Sequence, residues 1–431
     1  MVLDLSGMRK KLPNKSIAFR RRSGFNHNLV ADDQVKLAKV QKLINVLLIL
    51  TKKKPDIQKY KNLLRVCFAK RILLSYSDEV KFRKVRDKKR TIESFTEFAK
   101  SNFRFESEHL RLLVDELNFP PIVKFKNGMK KMPGEEVFLR GLFELVSGAK
   151  KHLIAEHVFG RDFSAQSRAF LYFIDHVDNN FNHLVTDNLE WWFENGFWEI
   201  SAAAIEEKMP ERYDFQTKNL VSHFIDCNCL PTTVTGGGPA EDGANAARWD
   251  ENIQRSFFNL WKSKHGLKHQ TFDNALGCTE DIAGPVSLRN HDIDVCNNSN
   301  INNRFAEIQT GHVDQYIIFG DSAYLKESHM SSYLKEIDMI ADFQRWNSAM
   351  KHVRISIEWN YGFTGNLFNY VRCADKFKQL QEVRTSKVYR VVTLFRNFHI
   401  MCYGGQSSKY FGLVMPPDMI LHYIRQTNID F

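Results

Sequence analysis

The chain has 431 residues, 43% of them hydrophobic and 26% charged, an ordinary globular composition with enough material for two or three domains. No uncharged stretch reaches the roughly 18 residues of a membrane span, and the N-terminus lacks the apolar run of a signal peptide, so we expect a soluble protein without a membrane partner. The seven cysteines, an odd number scattered along the chain, favour free thiols in a reducing compartment.

The positive charge is concentrated in the first quarter of the chain. The whole sequence carries +11, but residues 1–100 hold 26 basic and 9 acidic side chains, a net charge of +17, which leaves −6 for the rest. Basic blocks such as "KFRKVRDKKR" and "AFRRRSG", which contains Arg20, Arg21 and Arg22, favour nucleic-acid contact or a nuclear import signal over a merely solvated surface. We therefore expect a nuclear protein that meets a polyanion.

The first half of the chain is predicted to be helical. Residues 1–28 are basic and aperiodic and are expected to form a disordered arm, whereas 29–215 show helical spacing of apolar residues. One helix lies in "NFRFESEHLRLLVDEL" with Ser107 as its predicted cap, and another, "GEEVFLRGLFELVSG", is closed by Gly148. The tryptophans of "WWFENGFW" at 191–198 are expected in the core, although stacking on bases is an alternative.

A candidate helix-turn-helix lies near residues 151–177. The helical patterns "KKHLIAEHVFG" and "FSAQSRAFLYFIDHV" are separated by a short turn, and the second would present Ser164, Gln166 and Arg168 to a DNA groove. Two short packed helices of any kind give the same outline, and their apolar residues then simply close a core. Core packing is the favoured interpretation, and Arg168 is a candidate DNA contact.

Strand patterns begin near residue 218. "NLVSHFID" and "QYIIFGD" each have the length and apolar composition of a buried strand, and they end at or next to Asp226 and Asp321. "GLKHQTFDNALGCTEDIAGPV" between them adds strand and turn signals, while the Gly-rich segment 232–248 lacks P-loop residues and is expected to be a mobile loop. Glu358, in "VRISIEWNYG", stands where we expect a helix to begin.

These three acids point to metal chemistry when they are taken together. Each one alone is better explained as a turn or cap residue or by a helix dipole. Neighbouring strand ends of a mixed sheet lie a few ångströms apart, however, and converging carboxylates repel each other unless divalent cations neutralise them. Asp226, Asp321 and Glu358 are therefore predicted to hold Mg²⁺ or Mn²⁺, and two such ions can clamp both oxygens of a phosphodiester displacement.

Several segments resemble the DDE transposases of the P instability factor/Harbinger type. They are "FIDCNCLP", "KSKHGLKHQTF", "AGPVSLRNHDIDV", "GDSAY" and "RISIEWNYGFTGNLF", in the family's order and over about residues 220–370. The resemblance implies an α/β catalytic domain at 216–375, a ribonuclease-H-like mixed sheet flanked by helices. An all-helical N-terminal region would precede it, and a helical tail at 376–431, with "LFRNFHIMCYGGQSSKYFGLVMPP", would pack on it.

The resemblance also implies roles for individual residues. Asp226, Asp321 and Glu358 would be the catalytic metal ligands. Asp292, in "RNHDID", corresponds to a further characteristic acid of the family, which assists the metal site or braces it.

Basic neighbours of these acids have both a functional and a structural interpretation. His291 could contact the scissile phosphate, although a structural histidine is the commoner role. Arg354 would pair with phosphate or with Glu358, or form a surface ion pair. Lys264 and Lys268 either follow the DNA backbone or form a solvated strand edge.

The chain departs from the family pattern after the first acid. Cys227 and Asn228 stand where the family usually has Gly and Thr, and Cys229 adds a second soft ligand near a hard-cation site. The two cysteines could in principle bind zinc together with His265, His269 or Cys278. No second C-x-x-C or H-x-H pair is present at the spacing that is usual for zinc sites, so zinc is disfavoured.

The sequence leaves three functional hypotheses. The leading one is a metal-dependent endonuclease that cleaves double-stranded DNA at transposon ends and catalyses strand transfer. By resemblance it would act as a homo-oligomer on DNA, with a Myb/SANT-like DNA-binding partner. The alternative is a domesticated, non-cleaving DNA-binding or chromatin-associated protein on the same fold, supported by the +17 region. A third is an RNA-processing nuclease, because the metal chemistry does not depend on the sugar.

Overall fold

The computed structural model describes residues 91–125, 130–160, 162–209, 219–233, 255–260, 262–324, 329–333, 341–377 and 382–429. All of them belong to one compact unit, Arg86–Phe431. The expected arm at 1–28 with Arg20, Arg21 and Arg22 lies outside these residues, as does the loop at 232–248 except for its first two residues. None of the described helices combines the length and apolar composition that crossing a bilayer requires.

A helical region precedes the sheet. Its elements are the 3₁₀ turn Ile92–Phe98, α1 Ala99–Phe103, α2 Ser107–Glu116, β1 Ile122–Lys124, β2 Lys131–Pro133, α3 Gly134–Ser147, α4 Lys151–Leu153 with the π-helical turn Ile154–Val158, α5 Phe163–Phe181, α6 His183–Thr186, α7 Leu189–Glu194 and α8 Phe197–Lys208. The antiparallel pair of β1 and β2 makes the prediction of an all-helical region wrong at this point. Pro120 and Pro121 precede β1 and Pro133 is the last residue of β2, and proline disfavours a helix both at its own position and at the preceding residue.

Helix ends follow the sequence signals in one case and not in another. Gly148 ends α3 in the left-handed conformation, with φ of 60°, and its N–H donates to the Glu144 carbonyl oxygen at 3.0 Å, as predicted. The predicted cap at Ser107 is wrong, because Ser107 is the first helical residue and its hydroxyl has no hydrogen-bond partner among the described residues. The extended residue before the helix is Glu106.

The candidate helix-turn-helix does not present the predicted polar row. Gln166 is fully buried, and its side chain hydrogen-bonds to Arg140 and Glu144 at 3.0 Å, so its assignment to a DNA groove is wrong. Ser164 is exposed, and Arg168 lies beside Asp162 with 31% of its side chain exposed. Of the three residues predicted to face a DNA groove, Arg168 is the basic one, and its side chain is partly accessible.

The tryptophans of the aromatic segment pack in the core, as expected. Trp191, Trp192 and Trp198 are 6%, 0% and 1% exposed. The Trp198 indole N–H donates to Glu280 on the sheet at 3.1 Å. These rings therefore connect the helical region with the sheet and are not free to stack on bases.

A mixed sheet forms the second half of the structure. Its strands are β3 Asn219–Pro231, β4 Phe258–Asn259, β5 Lys264–Asn274, β6 Thr279–Ser287, β7 Gln315–Phe319 and β8 Met330–Ser331. The order is β6-β5-β3-β7-β8, and β4 pairs with the first two residues of β5. β3, β5 and β6 are antiparallel, whereas β7 is parallel to β3 and to β8. The predicted mixed sheet is confirmed.

Helices cover both faces of this sheet. They are α9 Asp292–Ser299 and α10 Ile301–Ile308 before β7, α11 Ala341–Leu367 after β8, then the 3₁₀ turns Asn369–Arg372 and Ala374–Lys376, α12 Glu382–Tyr403, α13 Gln406–Tyr410 and α14 Met419–Arg425. Alternate residues of β7 enter different cores: Tyr316 and Ile318 join the larger one, and Ile317 and Phe319 join a smaller one with α11. This is the two-residue repeat of a strand that is buried on both faces.

The C-terminal helices pack against the sheet. Asn397 of α12 exchanges two hydrogen bonds with the backbone of Thr279 at the start of β6, at 3.0 and 2.7 Å. Arg396 also bonds to the Thr279 side chain, and both of these α12 residues are fully buried. Polar side chains buried in this way are stable because each finds a partner.

Candidate metal centre

Asp226 lies where the parallel pairing of β3 ends. β3 itself continues to Pro231, with Asp226 opposite Thr271 of β5, so the prediction that the strand ends at Asp226 is wrong. The last parallel pair is Phe224 with Phe319 of β7. Asp226 lies two residues after Phe224, and Asp321 lies two residues after Phe319. The register therefore places the two acids side by side, just beyond the end of β7.

Asp292 joins these two acids from a third element. It is the first residue of α9, the helix that follows β6. Carboxylate oxygens of Asp226, Asp292 and Asp321 all lie within 4.8 Å of one another. Three oxygen ligands at this separation form a group that a divalent cation can bind. We call Asp226, Asp292 and Asp321 the three-acid group.

Backbone N–H groups hold two of these carboxylates. Oδ1 of Asp226 accepts from the N–H of Cys227 at 2.7 Å, and Oδ1 of Asp321 accepts from the N–H of Ala323 at 2.8 Å. Each side chain is thereby oriented by the chain immediately after it. The second oxygens remain for other partners, and that of Asp226 is bound by an arginine.

Glu358 is close to this group but does not belong to it. It lies inside α11, 17 residues after the start of that helix, so the expected helix start at Glu358 is wrong. Its side chain is 54% exposed, and Oε1 accepts from Arg354 Nη2 at 3.1 Å. Glu358 is therefore connected to the three-acid group through Arg354.

Arg354 bridges two acids of the predicted set. Its Nη1 donates to Asp226 Oδ2 at 3.2 Å, its Nη2 to Glu358, and its Nε to the Tyr333 hydroxyl at 3.2 Å. Only 14% of the side chain is exposed, so this is more than a surface ion pair. The predicted pairing of Arg354 with Glu358 is present, and the contact with Asp226 is an additional one.

Lys268 neutralises the third acid. Its ammonium group donates to Asp292 Oδ1 and to the carbonyl oxygen of Asn290, the latter at 2.7 Å. The side chain is 8% exposed, so Lys268 is not part of a solvated strand edge. Lys264, four residues earlier on β5, is exposed, and His291 is exposed at the position before α9.

The electrostatics of the site favour an added cation. Burial raises the pKa of Asp226, Arg354 opposes that shift, and the charge of Asp321 adds to it. The three acids carry three negative charges, and Lys268 and Arg354 supply two positive ones, so one negative charge is uncompensated. Counting Glu358, the excess is two. A divalent cation would balance it.

A layer of hydroxyl and thiol groups lies behind the acids, and no pattern in the sequence indicates it. The Cys227 thiol is 3.7 Å from the Tyr324 hydroxyl, and burial raises the pKa of this thiol, which keeps it protonated. The Tyr361 hydroxyl lies 2.9 Å from the side chain of Thr271. Cys227 is therefore a buried, protonated thiol that packs against Tyr324.

The proposed zinc ligands are used in other ways. His269 is fully buried and its ring packs at a tilt against Tyr389, with 4.3 Å between ring centroids, and burial lowers its pKa to about 3. Cys278 is buried in the larger core. For the residues that the structure describes, the only group of at least three metal-type ligands is the three-acid group.

A groove of about 600 Å³ opens beside Arg354 and Glu358. Tyr333 and Lys351 also line it, and Lys351 is exposed. The groove thus brings two basic side chains, Arg354 and Lys351, beside the acids.

Comparison with known proteins does not assign the chain to a family. No family model matches the sequence, and neither a curated protein nor a solved structure is significantly similar to it. The geometry of the site is therefore the basis for the function proposed below.

Proposed function

We propose that the protein is a metal-dependent DNA endonuclease and strand transferase of the P instability factor/Harbinger type, with a ribonuclease-H-like catalytic domain. The observation that carries this proposal is the convergence of Asp226, Asp292 and Asp321 from three separate elements. Carboxylate oxygens in such a group are the ligands that Mg²⁺ and Mn²⁺ prefer. Arg354 and Lys351, which line the groove beside them, are two basic side chains that can contact a polyanionic substrate.

The order of the sheet supports the proposed fold. Three antiparallel strands are followed by two parallel ones, and helices cover both faces. Asp226 and Asp321 stand where the parallel pairing ends, and a helix begins at Asp292. In a sheet with parallel strands, such an end is the usual place for a ligand site.

The residues fit a divalent cation, and we propose how they share its ligation. Asp226, Asp292 and Asp321 would hold it, each already oriented by a neighbouring N–H group or by Lys268. When bound, such ions lower the pKa of water and stabilise charge on phosphate oxygens. Lys268 donates to Asp292 Oδ1 and so fixes the orientation of this carboxylate.

Arg354 and Glu358 form the adjustable part of the site. In the described conformation Arg354 holds both Glu358 and Asp226. We propose that Arg354 turns to a phosphate when DNA enters the groove, since its planar fork matches phosphate geometry. Glu358, which is 54% exposed, would then be free to join the other acids as a ligand.

The test is a plasmid-nicking assay with Mg²⁺ or Mn²⁺. We expect Asp226→Asn and Asp321→Asn each to lower the rate about 100-fold, because loss of a metal ligand removes several kcal/mol of charge stabilisation. Glu358→Gln should also lower it, and Glu97→Gln, an exposed acid far along the chain, serves as the matched control. Nicking that persists unchanged in all variants, or without added metal, would contradict the proposal.

The alternative function is DNA binding without cleavage. Two observations favour it: the first 100 residues carry +17, and Lys268 and Arg354 already occupy two of the acids. Tight DNA binding with no nicking in either metal would support this alternative. Competition between duplex DNA and RNA distinguishes the RNA-processing nuclease.

The location, the oligomeric state and the partners of the protein also belong to the proposal. A nuclear location, a homo-oligomer on DNA and a Myb/SANT-like partner follow from the family resemblance. The uneven charge of the chain supports the contact with DNA.

A further inference from the structure

A second pocket lies at the opposite end of β7 from the three-acid group. Its volume is about 850 Å³, and it is lined by α7, α8 and the segment that leads into β7. Tyr316, the second residue of β7, lines it, and Asp321 follows five residues later. At about 3.3 Å per strand residue the two positions are roughly 16 Å apart. The proposed nuclease chemistry does not use this pocket.

Four acidic side chains line this pocket. Glu190, Glu194, Glu199 and Asp314 are all exposed, and in the described part of the chain none of them forms an ion pair. His312 is also at the wall, with its ring packed on Phe193 at 4.6 Å. The pocket therefore concentrates negative charge that the described residues do not balance. We call it the acidic pocket.

Helix dipoles stabilise only two of these four acids. Glu190 and Glu199 lie in the first turns of α7 and α8, where a negative charge is favourable. Glu194 is the last residue of α7, where the dipole disfavours it, and Asp314 is outside the helices. A cationic ligand would stabilise these two acids.

Aromatic rings form the inner wall of the acidic pocket. Phe193 and Trp198 lie 4.9 Å apart between ring centroids, and Trp198 and Tyr316 lie 6.0 Å apart. Tyr316 is 7% exposed, yet its hydroxyl makes no hydrogen bond with the described residues. Burial, and then the charges of Glu199 and Asp314, raise the pKa of this hydroxyl, and both acids line the same pocket. The hydroxyl is thus available to a ligand.

We propose that the acidic pocket binds a Lys or Arg side chain of a basic peptide segment from a partner protein. Carboxylates around aromatic faces are the environment that recognises an ammonium or guanidinium group. The volume lies in the range of about 300–1,000 Å³ that is usual for ligand sites, larger than one side chain requires. Val313 at the wall is 79% exposed and offers apolar contact to the stem of the side chain.

The test is a titration of the full chain with a fluorescein-labelled hexa-arginine peptide, followed by anisotropy at low and physiological salt. We expect Glu194→Gln/Asp314→Asn to weaken binding about tenfold, or 1.4 kcal/mol, since two exposed charge pairs are lost. Tyr316→Phe should weaken it about threefold without lowering the melting temperature, because the lost hydroxyl has no described partner. The charge-matched control Glu97→Gln/Glu108→Gln removes two exposed acids elsewhere and should change affinity less than twofold.

Two results would overturn the proposal. Equal weakening by both double variants would show that only net charge matters. Spermidine, a free polyamine whose positive charges are ammonium groups like that of a lysine side chain, is the second arm of the experiment. If spermidine bound as tightly as the peptide, with the same dependence on Glu194 and Asp314, the pocket would be a polyamine site and not a peptide site.

Discussion

Replacing Lys268 with methionine separates the contribution of this lysine to stability from its effect on the metal site. The lysine is 8% exposed and donates to Asp292, so the variant leaves a partly buried carboxylate without its cation. Loss of a charge-assisted hydrogen bond of this kind costs about 2 kcal/mol. For a chain of this size, that lowers the melting temperature by about 2–3 °C.

The same change raises the negative charge of the three-acid group from one to two. A divalent cation should then bind the variant more tightly and restore more stability to it than to the wild type. The assay is thermal unfolding with and without Mg²⁺. Lys264→Met, an exposed lysine on the same strand, is the control and should change the stability by less than about 0.5 kcal/mol. If Mg²⁺ stabilised Lys268→Met no more than the wild type, the reasoning would be refuted.

Two further predictions concern stability. The pKa of His269 is lowered to about 3 by burial, so the folded protein keeps this ring neutral, and stability present above pH 6.5 is lost as the pH falls. The loss is about 2 kcal/mol at pH 5, and urea unfolding at pH 5 and 7.5 should show a smaller difference for His269→Phe. Gly148→Ala should cost more than about 1 kcal/mol, since φ is 60° and the added Cβ would lie 3.1 Å from Asn369 and Cys373. In Gly412→Ala, also at positive φ but with no atom within 4 Å, only the backbone strain remains, and an equal loss in both variants would refute the steric part.

Local patterns predicted those parts of the fold that depend on near neighbours in sequence. The apolar run of β7 and the glycine that ends α3 both have local signals, and both are present. The extension of β3 to Pro231 has no such signal, because it depends on pairing with β5 some forty residues later. A strand boundary that distant pairing decides cannot be found from propensity alone.

The helix around Glu358 carried a signal that could have been used. Met350, Val353 and Ile357 are buried against the sheet at spacings of three and four residues, which indicates a helix that already includes these positions. Polar residues between these three positions make the helical spacing of the apolar residues less evident in the sequence. The helix therefore begins at Ala341, well before the position that its local composition indicates.

Only part of the candidate site can be predicted from the sequence, and the reason is physical. Two acids at or near strand ends indicate convergence, and the register of β3 with β7 does place Asp226 beside Asp321. The membership of Asp292 depends on how the chain turns after β6, and the partners of Lys268 and Arg354 depend on burial. A sequence shows that these charged residues are present but not which of them pair.

The most direct test of the metal centre is a crystal structure of the protein grown with Mn²⁺, with anomalous scattering used to locate the ion. We predict an anomalous peak among Asp226, Asp292 and Asp321, at about the 2.0–2.6 Å that separates hard cations from carboxylate oxygens. Density without a peak there, in crystals saturated with Mn²⁺ and with Lys268 and Arg354 still bound to the acids, would contradict it.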